Sequence, residues 1–151
     1  MSRASGLNGM NGMNGTIGMK LDHIGVAVGD LKTAGAAWSK VTRAAGPPED
    51  VGGQGVRVQF CDFEGGAIEL LAAAGDDTPV GRFLARRGEG LHHIAFRVPD
   101  IRAALGDLEA QGARLIDREP RPGAHGTEVA FVHPSAFAGV LVELVQHPEG
   151  A

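Results

Sequence analysis

The chain has 151 residues, 43% of them hydrophobic, enough for one domain or two small fused halves whose core needs no covalent staples. A formal charge of −4 with acids and bases interspersed, and only 5% aromatic residues, exclude both a basic face and the stacking platforms that nucleic acid requires. Cys61 is the single cysteine, so no intrachain disulfide can form, and a reducing cytoplasm is the expected compartment.

Residues 1–18, which include the tract GLNGMNGMNGTIG, have no hydrophobic periodicity and are expected to be a disordered tail with no targeting signal. No apolar run approaches the roughly 20 residues that span a bilayer, so no membrane partner is expected. A single domain is expected over 19–147, in two modules. The first, at about 20–76, opens with the strand LDHIGVAV. Alternation puts His23, Gly25 and Ala27 on one face and Ile24, Val26 and Val28 on the other. Asp30 is placed to cap a helix burying Leu31, Ala34, Trp38 and Val41. The strands VRVQFCDF and AIELLAA follow, with room for a weaker strand after the helix.

A linker helix is expected over 78–88, capped by Thr78, with Pro79 at its first position and Val80, Phe83 and Leu84 on one face. The second module, at about 90–147, then repeats the first. LHHIAFRV matches LDHIGVAV, with His93 sharing a face with Ala95 and Arg97 and His92 expected to point the opposite way. Asp100 caps a helix burying Ile101, Leu105 and Leu108, and the strands EVAFVHP and GVLVELVQ complete the half. The class is α+β, two tandem βαβββ modules.

Four residues stand out because both modules carry them. Glu69 and Glu143 each sit inside an apolar strand, where a solitary carboxylate is costly to bury unless it is paired or bound to a cation. His23 and His93 occupy matching positions in the opening strands. Any one of them alone reads as an ordinary half-buried residue. Related by a pseudo-twofold axis, two imidazoles and two carboxylates converge as a mixed nitrogen and oxygen set suited to a divalent ion such as cobalt, nickel, zinc or manganese. His125 and His133 lie in loops at strand ends, within reach of a pocket rim.

The segments LDHIGVAVGDL, QGVRVQF, AIELL, TPVGRFLARRGEGLHHIAFRV, LIDREP, GAHG and FVHPSAFAGVLVEL closely resemble the methylmalonyl-CoA epimerase family of the vicinal oxygen chelate superfamily, across about residues 20–146. The resemblance implies a curved, cup-shaped mixed sheet with helices outside, and a divalent metal held by His23, Glu69, His93 and Glu143. In relatives the Glu69 position is often glutamine. It also implies a catalytic base at Glu49, five residues before Gln54 of QGV, paired with Glu143 on the opposite face of an acyl-CoA substrate. Gln54, His125, Arg86 and Arg87 are the expected substrate contacts, and a homodimer is the expected assembly. The alternatives are a glyoxalase-I-type isomerase, which shares the metal positions, and a metal-free small-molecule-binding protein of the same fold.

Overall fold

A computed structural model describes residues 18–150, so all of the expected tail but residue 18 lies outside the described part. The first module runs β1 (Lys20–Ala27), α1 (Leu31–Trp38), β2 (Glu49–Val51), β3 (Val56–Phe63) and β4 (Gly66–Ala73). After the linker helix α2 (Pro79–Arg87), the second module runs β5 (Gly90–Arg97), α3 (Ile101–Ala110), β6 (Arg121–Pro122), β7 (Glu128–Val132) and β8 (Val142–Gln146). Each module is therefore βαβββ, and its second strand is the weak one.

The helix starts follow local chemistry. Asp30 accepts the Thr33 N–H at 2.8 Å, Asp100 accepts the Ala103 N–H at 3.0 Å, and Thr78 accepts the Gly81 N–H at 3.1 Å, each satisfying a donor that the first turn leaves free. Helix α1 is shorter than its apolar spacing suggests. It stops at Trp38, where Ser39 and Thr42 turn their hydroxyls back onto the Gly35 and Trp38 carbonyls, and Val41 is left 76% exposed instead of buried. The strand expected over GVLVELVQ likewise begins only at Val142, leaving Val140 exposed on the approach.

All eight strands form one sheet in the order β2-β3-β4-β1-β5-β8-β7-β6. Within each module the first and last strands pair in parallel, β1 with β4 and β5 with β8, and the modules join through antiparallel β1 and β5. At the centre of that seam Ile24 pairs with its repeat equivalent Ile94, so the pseudo-twofold axis passes between them. Ile24, Val26 and Val28 pack with Leu31, Ala34 and Trp38 of α1, while Ala27 packs on the other face with Val51, Val56, Val58 and Leu71. In the second module Val98, Leu144 and Ala104 belong to the α3 side, and Ala95, Val129 and Val145 to the inner face. The expected alternation holds from His23 to Val28 of the first opening strand and from His93 onward in the second, and it fails at Asp22 and His92, where the pairing of β1 with β5 shifts register. The helices cover the outside and the inner face is free to hold a site.

Candidate functional site

Cross-strand pairing decides which inner-face side chains meet. Gly25 on β1 lies opposite His93 on one side and Glu69 on the other, and Ala95 on β5 lies between His23 and Glu143 in the same way. The smallest side chains thus separate each histidine from a carboxylate and leave the floor of the cup clear. The clearance is tight, since a Cβ on Gly25 would sit 2.2 Å from His93 Cε1. Phe60 on β3 presents its ring edge-on to His23 at 5.7 Å, and Phe131 on β7 does the same for His93 at 5.6 Å, so both imidazoles are walled symmetrically.

The four expected residues converge. His23 Nε2 is 3.2 Å from His93 Nε2, 3.1 Å from Glu143 Oε1 and 3.3 Å from Glu69 Oε1, and His93 Nε2 is 3.5 Å from each of those oxygens. All four residues are buried. Neighbouring donors about 2.0–2.2 Å from a shared ion lie about 3.0–3.5 Å apart, so the spacing fits a single divalent ion. His23, His93 and Glu143 form the compact core of the group, their donor atoms all within 4.8 Å of one another.

The electrostatics also call for positive charge at this point. Burial opposes a charge on His23, but hydrogen bonds with Asp22, Glu143 and Glu69 overcome it and push the imidazole pKa up to about 12. Burial likewise opposes ionisation of Glu143, yet its contacts with His23 and His93 hold the carboxyl down at about 2. A centre that retains a proton this tightly is one where a cation is strongly favoured.

Two residues touching the quartet depart from the alternation rule. His92 does not point away from His93: its Nδ1 lies 2.9 Å from His93 Nδ1. The cause is a β-bulge. Gly25 pairs with His93 but Val26 pairs with Leu91, which makes His92 the extra residue on β5. The matching irregularity on β1 places Asp22 outside the ladder between Leu21 and His23, and its Oδ2 meets His23 Nδ1 at 2.7 Å. Asp22 Oδ1 meets His147 Nε2 at 2.5 Å, just beyond the end of β8. Bulges follow from strand pairing, so neither Asp22 nor His147 could be read as a site residue from period alone. Burial and the neighbouring charge of His93 keep His92 neutral, its pKa depressed to about 4, with its ring edge-on to Phe83 at 4.9 Å.

Glu49 on β2 crosses to the other module. Both its oxygens accept the His125 N–H at 3.2 Å. Gln54 Nε2 makes a longer contact, 3.4 Å, to the Pro122 carbonyl. The two sheet edges therefore touch across the cup. His125 is held with φ +58°, its ring tilted against Phe60 at 4.7 Å and its Nε2 3.6 Å from Glu49 Oε1, slightly farther than its backbone nitrogen. A cavity of about 40 Å³, room for a few waters, is lined by His23, Glu69, Glu143, Gln54, His125 and Thr127. Arg86 and Arg87 line a different groove with Phe83, Leu91, His92 and Val140, and Arg87 lies over the Phe83 ring at 5.5 Å. His133 caps the turn Pro134–Phe137 through the Ser135 N–H.

Residues 22–131 match the Glyoxalase/Bleomycin resistance protein/Dioxygenase superfamily. An ethylmalonyl-CoA/methylmalonyl-CoA epimerase of Cereibacter sphaeroides is 42% identical over 130 residues, 84% of this chain and 97% of that protein. The mitochondrial methylmalonyl-CoA epimerase of Bos taurus is 40% identical over 129 residues, 84% of this chain and 74% of that protein. A solved methylmalonyl-CoA epimerase in complex with methylmalonyl-CoA and NH4+ superposes with a TM-score of 0.81 at 34% identity, covering 87% of this chain and 96% of that one.

Proposed function

Because the chain belongs to the Glyoxalase/Bleomycin resistance protein/Dioxygenase superfamily, and within it to the methylmalonyl-CoA epimerase family, we propose that it inverts C2 of methylmalonyl-CoA or a close 2-carboxyacyl-CoA such as ethylmalonyl-CoA. The observation that carries this reading is the meeting of His23, Glu69, His93 and Glu143, drawn from equivalent strands of both modules, with donor separations of 3.1–3.5 Å.

A divalent ion held by these four would act as a Lewis acid, stabilising the negative charge that develops on the thioester oxygen as C2 loses its proton. The protein's own groups then move the proton. Inversion requires removal from one face of C2 and return to the other, which suits two carboxylates approaching from different modules. We assign these roles to Glu49 and Glu143. Glu143 meets both imidazoles through Oε1, and its Oε2 is the atom assigned to the proton. Glu49 is anchored across the cup by the His125 N–H of the second module, which fixes the carboxylate assigned to the other face of C2.

The test is incubation of the ion-loaded protein with one epimer in deuterium oxide. Deuterium at C2 and a racemic pool are expected. If neither appears, the reading is overturned; isomerisation of methylglyoxal with a thiol cofactor would point instead to glyoxalase-I-type chemistry. Glu49→Gln and Glu143→Gln should each lower kcat at least 100-fold.

A further inference from the structure

We infer that Asp22, backed by His147, and His92 are positioning residues that set the two imidazoles for ion binding, and that their difference in charge makes His23 the stronger donor and His93 the weaker. This rests on the ion-binding reading of the quartet. The geometry is duplicated. In each module the residue immediately before the candidate ligand is displaced from the β1–β5 ladder by a bulge, and the displaced side chain reaches the Nδ1 of that ligand, at 2.7 Å from Asp22 and 2.9 Å from His92. Without the bulges, alternation would send both side chains to the helix-covered face.

With Nδ1 engaged, each ring is fixed in rotation and its Nε2 is turned to the centre, where the two Nε2 atoms are 3.2 Å apart. An imidazole ligand whose second nitrogen is hydrogen-bonded in this way is held in one tautomer and made more basic. The repeat is not symmetric in chemistry. Asp22 is a carboxylate anchored by His147 at 2.5 Å, and strengthens His23 as a donor through its charge. His92 is a half-buried imidazole packed against Phe83, and offers His93 a hydrogen bond without an anion. The pairs LDHI and LHHI therefore encode each ligand together with its orienting neighbour.

Cobalt titration of the full chain tests this, with the dissociation constant read by calorimetry and the coordination by visible d–d absorption. Asp22→Asn keeps an acceptor but removes the charge, and should weaken cobalt 10- to 100-fold. His92→Phe should weaken it by less than that and shift the d–d bands, whereas His92→Gln, which can still accept from His93 Nδ1, should restore both. A purely structural role would alter folding but not the band positions of the folded protein. Wild-type binding matched within threefold, with unchanged spectra, by both Asp22→Asn and His92→Phe overturns the inference, as does a larger loss in His92→Phe than in Asp22→Asn. Failure of the wild type to take up cobalt instead overturns the ion-site reading beneath it.

Discussion

Gly25 shows how far the site depends on what a residue lacks. It sits between His93 and Glu69 on the inner face, and a methyl group there would overlap the His93 ring, 2.2 Å from Cε1. Gly25→Ala should swing His93 out of the quartet, lower divalent-ion affinity at least tenfold, and cost about 1–3 kcal/mol of stability from overpacking; unchanged affinity in a calorimetric titration would contradict this. His23 carries a pH prediction. Its ion-free pKa is raised from 6.5 to about 12, so it is protonated at neutral pH and must lose that proton to act as a ligand. Ion uptake near pH 7 should therefore release about one proton, and affinity should fall as pH falls, by about tenfold per unit. Calorimetry in buffers of different ionisation enthalpy counts the proton, and a pH-independent affinity would refute the assignment.

Most of the elements were legible because their signals are local. Asp30 and Asp100 follow the opening strands in the repeat, and each caps the helix it was expected to cap. Asp30→Ala and Asp100→Ala should each cost about 1 kcal/mol, a few degrees of thermal midpoint by calorimetry, with ion affinity unchanged, since both caps face away from the cup. Where local signals compete, period misleads. Val41 continues the three-and-four spacing of α1, but hydroxyl groups at Ser39 and Thr42 end the helix before it. His92 and Asp22 break the alternation of β5 and β1 because the two antiparallel strands each absorb an extra residue against the other, and that pairing is invisible within either strand alone.

Across the whole molecule, the four candidate ligands come from the four central strands, β1, β4, β5 and β8, two from each module. An ion bound there ties the modules together and stabilises only the folded state. Saturating cobalt or zinc at about 100 times the dissociation constant should add about 2.7 kcal/mol and raise the thermal midpoint by several degrees, reversibly on chelation. An unshifted midpoint would argue that the quartet holds no ion. The sheet edges also meet across the cup through Glu49 with His125 and Gln54 with Pro122, so the proposed base in one module is fixed by a backbone amide of the other. Among the described residues no helix is long and apolar enough to cross a membrane.

The repeat of LDHI in LHHI, the glutamates inside apolar strands and the capping aspartates are properties of short windows, and they suffice to mark the two modules and the four candidate donors. The 3.1–3.5 Å convergence of those donors, the bulges that bring Asp22 and His92 onto them, and the reach of Glu49 to His125 depend on which strand lies beside which. A strand's own period tells which face a side chain takes. Only the pairing of distant strands decides what it meets there.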